Sequence, residues 1–332
     1  MVGPLAAWKV EKRSHVRRAF NVSLEKPVKV TLIHNPDAGD DTQPSGDQII
    51  RLIRDAGHKA KYFSAKDKKW KKALKKPCDI VAVAGGDGTV GRVARRLIDS
   101  RTPIAVLPMG TANNIANTIG VTGRKFEELI DAWNAAHCAN FDAGVARGPW
   151  GLRYFIEGFG VGLFAETMFK IENGQHPHVS RAEDPEEEIS AALKVLKKQL
   201  SSYPSKDLTV RLDGQDLSGS YYMLEAMNIR YIGPNLDLVP RAQINDGLLD
   251  IVFVSKSEQA KLSQYISDRI TRKRSRVKLT VHQGRHLQVE WKSSPVHIDD
   301  KPWPEDGNAK RVLSNAIDIK TDPGALVFLK PR

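Results

Sequence analysis

Two short runs crowd glycine, acid and hydroxyl residues into a few positions. The first is Gly85-Gly86-Asp87-Gly88-Thr89, continued by Val90 and Gly91. The second is Gly110-Thr111-Ala112-Asn113-Asn114. Glycine lets a backbone approach a ligand closely, and the N–H groups of a strand-to-helix turn favour a phosphate. Asp87 can hold Mg²⁺ or take a proton. Thr89 can cap the following helix or bind a phosphate oxygen, and Thr111 or Asn113 can equally be a plain cap. Neither run is a P-loop, which needs a lysine, or a G-x-G-x-x-G fingerprint.

The elements that must position these runs are legible on either side. Val28–Ile33 is a β-rich run that ends in Asn35-Pro36, and residues 44–56 have helical spacing through Ile49, Ile50 and Ile53, stopped by Gly57. Lys59–Ser64 reads as a second strand and Asp67–Leu74 as a lysine-rich helix. Cys78–Ala84 is a third strand with its helix at Thr89–Asp99. Pro103–Leu107 is a fourth, followed by helices up to about Ala139. Strands alternating with helices predict a parallel sheet covered on both faces. One helix and one strand separate the two glycine runs, so they are neighbours at the carboxyl edge of that sheet, where α/β ligands bind. Asn35 falls on the same edge.

The pattern changes near Phe141. Arg153–Ile156, Leu208–Leu212, Tyr221–Asn228, Leu248–Val254, Val277–Val281, Leu287–Trp291 and Val296–Ile298 read as strands, with hairpin turns at Asp213-Gly214 and Gln283-Gly284. Two helices interrupt, at Gly162–Lys170 and Glu186–Leu200, the second begun by the acidic run Glu183–Glu188. The expected division is a basic extension at 1–27, an α/β domain at 28–140 rejoined by 321–332 through Ala325–Leu329, and a β-rich domain at 141–320.

With 332 residues the chain has ample core for two domains. Its two cysteines, Cys78 and Cys138, exclude a disulfide framework and suit a reducing compartment. The net charge of +12 leaves anionic lipid, nucleic acid and phosphorylated substrates open. Lys59–Lys76 holds nine lysines against one aspartate, and Arg272-Lys-Arg-Ser-Arg276 is a second basic run. Either is a solvated face or a contact for an anionic membrane. No aromatic-interleaved RNA-reading motif accompanies them, so a nucleic-acid partner is not expected. No apolar run spans a bilayer.

Asn35-Pro36, Gly85-Gly86-Asp87-Gly88-Thr89 and Pro108-Met-Gly-Thr-Ala-Asn-Asn114 together resemble the diacylglycerol kinase catalytic-domain family, which includes soluble bacterial lipid kinases and is related to sphingosine and ceramide kinases. The resemblance extends to Asn245-Asp-Gly-Leu-Leu-Asp250 and to Ile298-Asp-Asp-Lys-Pro-Trp303, and spans roughly residues 28–330. It implies a Rossmann-like, NAD kinase/phosphofructokinase-like nucleotide domain and an antiparallel β-sandwich. It implies ATP and Mg²⁺ as cofactors and a lipid hydroxyl as acceptor, in a cytoplasmic enzyme peripheral at the membrane. Asn35, Ser64, Gly85 to Gly91, Gly110, Thr111 and Asn113 would line the ATP site. Asp87 would act through Mg²⁺ or as base. Asp246, with the backbone carbonyls of Gln243 and Leu248, would hold a structural Mg²⁺, although Asn-Asp-Gly is equally a turn. A homodimer is left open.

The chain departs from the family at Asp299-Asp300-Lys301, where similar bacterial members carry Asp-Gly-Glu with the glutamate as general base. A protonated lysine cannot accept that proton. Asp300 or Asp87 takes over, or Lys301 binds a phosphate, or the protein is a catalytically weak nucleotide- and lipid-binding member. Gly-Gly-Asp-Gly is shared with NAD kinases, which makes NAD phosphorylation the alternative activity.

Overall fold

The computed structural model describes residues 27–40, 42–179, 184–290, 295–304 and 316–330. Nearly all of the expected 1–27 extension, together with Glu183, Trp291 and residues 331–332, lies outside them. The N-terminal half alternates as read. β1 (Lys29–His34), β2 (Lys59–Ser64), β3 (Ile80–Gly85) and β4 (Ile104–Pro108) lie parallel in the order β2-β1-β3-β4. β3 is apolar and buried throughout, and β1 is buried from Val30 to His34, as a doubly covered parallel sheet requires. α1 (Gly46–Asp55) starts on a capping box: Ser45 accepts from the N–H of Gln48, whose side chain accepts from the Ser45 N–H.

Several expectations are corrected. The lysine-rich helix shrinks to α2 (Trp70–Ala73), because its N-cap is another lysine and like charges recur along it, leaving buried Trp70 as its anchor. The helix after β3 begins earlier, as α3 (Asp87–Ala94), so Asp87 is its first residue. α4 (Asn114–Ile119) and α5 (Phe126–Asp131) are short, and strand character resumes at His137, before Ala139, in the long β5 (His137–Gly148).

β5, then β6 (Gly151–Phe155) and β7 (Gly158–Gly162), open the antiparallel half. α6 (Leu163–Glu172) and α7 (Pro185–Ser202) follow. Asp184 caps α7 by accepting from the Glu187 N–H, with Pro185 in the first turn and three glutamates behind it. A further helix at Gln259–Ile270 was not expected, although Leu262, Tyr265 and Ile266 carry the spacing of one buried face. It lacks a side-chain cap, because the Glu258 carboxylate instead accepts from the N–H and hydroxyl of Thr280.

Asp213-Gly214 is a hairpin turn, with both residues at positive φ, between Val210–Leu212 and Gln215–Asp216. Gln283-Gly284 is not. Thr280–Gly284 pairs with Leu249–Ser255, whereas His286–Glu290 pairs with Val210–Leu212 and the C-terminal strand, so the chain changes sheets at Arg285. The Asp213 carboxylate fixes that crossing by accepting from the N–H groups of Arg285 and His286.

The two halves share one sheet. The C-terminal strand Ala316–Lys330 lies parallel to β4, antiparallel to β5 along most of its length, and antiparallel to His286–Glu290. A second sheet, containing β7, Gly219–Met227, Leu249–Ser255 and Val296–Ile298, stacks on its antiparallel end. Phe159, Leu224, Ile251 and Val296 of that sheet meet Phe155, Val210, Leu287 and Ile317 of the shared one in a continuous core. The result is a parallel-sheet domain joined to an antiparallel sandwich.

Asp142 ties the junction. One of its oxygens accepts from the Gly324 N–H (2.7 Å) and the other from the Gly247 N–H (2.7 Å), while its backbone carbonyl accepts from Asn228. Burial raises its carboxyl to about 6. Asp142→Ala strands two N–H groups and should lower the unfolding free energy by about 2–4 kcal/mol, measured by urea titration. A change within error would show that water replaces the carboxylate.

Candidate functional site

The two glycine turns touch. β3 and β4 pair through Gly85 opposite Pro108, and the Met109 N–H donates to the Gly85 carbonyl. A Cβ on Gly86 would lie 2.9 Å from the Gly110 Cα, and one on Gly110 closer still to the Gly86 Cα. Only glycine fits at either place. Asn113, at φ 50°, closes the second turn: its side chain accepts from the Gly110 N–H (2.9 Å) and donates to the Gly110 carbonyl.

Asp87 bolts the turns together. Its carboxylate oxygens accept from the N–H groups of Asn114 (2.8 Å) and Ile115 (2.9 Å), so the first residue of α3 caps α4. Burial raises its carboxyl to about 6 despite those donors, and the charges of Asp300 and Asp299 push the same way.

Asp299 joins the domains. At φ 54° it turns its buried carboxylate onto the N–H groups of Ile156, Glu157 and Gly158, and ion-pairs with Arg95 at the end of α3. Burial raises its carboxyl, with Arg95 and the N–H donors opposing. Behind it lies a pair that sequence reading missed. His297 and Glu225 are fully buried, 2.7 Å apart through Nε2 and Oε2, and His297 Nδ1 lies 3.0 Å from the Asp299 carbonyl. A carbonyl only accepts, so Nδ1 carries a proton. The pair then holds one more proton between Nε2 and Glu225, which is neutral overall wherever that proton sits. Its role is to hold the Asp299 backbone. The sequence signal was faint: one histidine at the centre of an apolar strand.

Between these parts lies a cavity of about 380 Å³. Phe164, Met168 and Ile171 of α6, Ile189 and Leu196 of α7, and Ile232 make it apolar. Asp87, Gly88, Asn114, Glu157, Asp299 and Asp300 form its polar end, with Thr111 and Glu188 at the side, where the threonine hydroxyl donates to the glutamate (2.6 Å). Among the described residues, five carboxylates line this space and no lysine or arginine does. A nucleotide phosphate arriving there needs a cation, and the all-oxygen donor set suits Mg²⁺, which takes one or two carboxylates and completes its shell from phosphate and water. Among the described residues no three His, Cys, Asp or Glu side chains form a ready cage. Asp300 Oδ2 packs so close to Gly88 that a Cβ there would meet it at 2.6 Å.

The remaining expected residues are spread around this core. Asn35 follows β1, and its side chain accepts from the Asp37 N–H. Ser64 ends β2 and accepts from the Lys66 N–H. Thr89, Val90 and Gly91 are buried in α3, with Thr89 accepting from Arg92 and Gly91 leaving room for Arg95. The Asp246 carboxylate accepts from the Leu248 N–H, in the loop that runs from Gln243 and is held by Asp142 at Gly247. Lys301 lies outside the cavity; its ammonium pairs with Glu172 at the end of α6 (2.9 Å), half exposed.

Two family models match the chain in succession: the diacylglycerol kinase catalytic domain over residues 29–146 and the YegS C-terminal NAD kinase beta sandwich-like domain over 172–329. Fold, turns and match define a kinase. The chain belongs to the diacylglycerol kinase catalytic-domain family, a family of lipid kinases. It is 23% identical over 281 residues to the diacylglycerol kinase of Bacillus subtilis, covering 79% of this chain and 89% of that one. It is 26% identical over 258 residues to a "Probable lipid kinase YegS-like" of Shewanella frigidimarina, covering 73% and 76%. It shares the fold of a diacylglycerol kinase from Bacillus anthracis, with a TM-score of 0.68, 20% identity, and 92% and 97% of the two chains covered.

A pH test follows from Asp87. Its carboxyl goes from the unfolded value of 3.8 to about 6 in the fold, so the native state keeps a proton that the unfolded chain has released. That contribution is complete below 3.8 and is lost as pH rises through 6. The unfolding free energy of the wild type minus that of Asp87→Asn should therefore fall between pH 4 and 6. A flat difference would place Asp87 at an ordinary carboxylate value.

Proposed function

We propose that the protein transfers the γ-phosphate of ATP to a hydroxyl of diacylglycerol or a similar lipid. The observation that carries this is the cavity: an apolar chamber between α6 and α7 that ends on the glycine turns and their carboxylates. An acyl chain fits the apolar wall, and the acid end meets a head group and a phosphate together. The diacylglycerol kinases among its relatives support the same reading.

ATP lies along the carboxyl edge of β1, β3 and β4, with its phosphates over Gly85 to Gly91 and the Gly110–Asn113 turn, and with Asn35 and Ser64 at its far side. Asp87 and Asp300 are the carboxylates that would hold Mg²⁺, which when bound neutralises phosphate charge. Asp299 keeps the 156–158 turn and α3 in register, so that head group and phosphate meet. Phosphoryl transfer depends mainly on such positioning and on charge. Asp246, with the carbonyls of Gln243 and Leu248, is proposed as a second, structural metal position. Among the described residues no helix is long and apolar enough to cross a membrane. The lysine-rich helix and the basic run 272–276 would draw the protein to an anionic membrane surface, at about 1 kcal/mol per charge.

The test is transfer of labelled phosphate from ATP to diacylglycerol and other hydroxyl lipids in mixed micelles. Transfer to none of them would sink the proposal, and formation of NADP from NAD would replace it. Gly110→Ala, whose Cβ strikes the Gly86 backbone, should weaken ATP binding by about tenfold or more in calorimetry, and unchanged affinity would remove ATP from these turns. Lys301→Ala breaks a half-exposed ion pair with Glu172 and should leave kcat/KM within about fivefold of wild type. A much larger loss would put the ammonium on a phosphate.

A further inference from the structure

Glu157 belongs to none of the sequence motifs, yet its side chain lines the cavity. Its backbone is clamped on both sides. Its N–H donates to the Asp299 carboxylate (2.8 Å), and its carbonyl accepts from the Asn228 N–H (2.9 Å). Its side chain, almost wholly buried, lines the cavity and accepts through Oε2 from Asn114 Nδ2 (3.0 Å).

Asn114 sets the polarity of this corner. Its other amide hydrogen goes to the Gly233 carbonyl (3.0 Å), which can only accept, so the amide orientation is fixed. Among the described residues, Asn114 Oδ1 is then a buried acceptor with no donor. A buried acceptor left unmatched costs about 1–3 kcal/mol. The corner thus offers acceptors and asks for a ligand that donates. A hydroxyl is such a ligand.

The other candidate bases have prior commitments. Both Asp87 oxygens hold the N-terminus of α4. The Asp299 oxygens hold three N–H groups and Arg95. Asp300 lies against Gly88, at the phosphate end. Lys301, at the family's base position, is outside the cavity on Glu172. Burial, reinforced by the charge of Asp87, raises the Glu157 carboxyl well above its ordinary value, so its ionised form, populated as pH rises, takes a proton more strongly than a free glutamate does.

We infer that Glu157 is the general base of this enzyme, receiving the proton of the acceptor hydroxyl in a corner completed by Asn114. The inference rests on the phosphotransferase reading above and adds the residue that activates the acceptor. In the step, the hydroxyl O–H bond breaks and its proton passes to the Glu157 carboxylate. The freed oxygen pair forms the bond to the γ-phosphorus, and the bond from that phosphorus to the β–γ bridging oxygen breaks. ADP leaves with that electron pair. Glu157 then gives its proton to solvent when the product departs. The base role has moved from the turn after Val296–Ile298 to the turn before β7, and those two turns are already joined through Asp299.

The test compares wild type, Glu157→Gln and Glu157→Asp with ATP and a diacylglycerol micelle. Glutamine keeps the size and can still accept from Asn114, so the thermal midpoint and the ATP dissociation constant should stay close to wild type. Its kcat should fall about 10²–10⁴-fold, and aspartate should recover part of that loss. Glutamine activity within about tenfold of wild type would overturn the inference and leave the lipid-kinase reading standing. A parallel loss of ATP affinity in both variants would also overturn it, by making Glu157 a support of the turn. Absence of transfer by the wild type would overturn the reading itself, and the inference with it.

Discussion

The carboxylate of Asp299 is the crosspiece of the molecule. It belongs to the sandwich, receives three consecutive backbone N–H groups from the 156–158 turn, and pairs with Arg95 from the parallel-sheet domain. A charge buried this deeply is tolerated only when it is paired and hydrogen-bonded. Each of its partners is therefore fixed by the same requirement. α3 comes to rest against the sandwich, the 156–158 turn is aimed at the cavity, and Asp300 is carried onto Gly88. His297 and Glu225 hold the same residue from behind, through its carbonyl.

The second constraint is the near-contact of Gly86 and Gly110. It sets the separation of α3 and α4 and lets Asp87 reach the first N–H groups of α4. The candidate phosphate edge is thus assembled before any ligand arrives, and little would need to reorganise when one binds. Preorganised groups of this kind are where most of the rate gain in phosphoryl transfer arises. The cavity couples this edge to an apolar chamber, so charge and hydrocarbon meet over a short distance without either side being left poorly solvated.

The substitution at Lys301 looks different once the side chains are placed. A lysine at a base position would be damaging if its ammonium faced the phosphate end. Instead it pairs with Glu172 across to α6, half exposed, where an ion pair is worth little. Among the described residues, the cavity keeps five carboxylates without it.

Much of the fold was legible because it is written in local pattern. β3 and β4 read as continuous apolar runs and β1 as a β-rich one, the Ile49, Ile50 and Ile53 spacing with its Gly57 stop and the acidic run at 183–188 announced their helices, and Asp213-Gly214 announced its hairpin. The two glycine runs placed the candidate phosphate edge, since only close backbone approach demands glycine in such density. The chain by itself thus determined the element order, the parallel edge and the chemistry available there. Tertiary structure alone decided which acids face the cavity and which are consumed as braces. Asp87, Asp142, Glu157 and Asp299 are the same kind of group in the sequence, and their roles diverge only through burial and through N–H donors supplied from far along the chain. It also decided that Gln283-Gly284 crosses between sheets and that the C-terminal strand binds the halves into one sheet. Long-range backbone pairing leaves no local trace, because its partners lie tens to hundreds of residues apart.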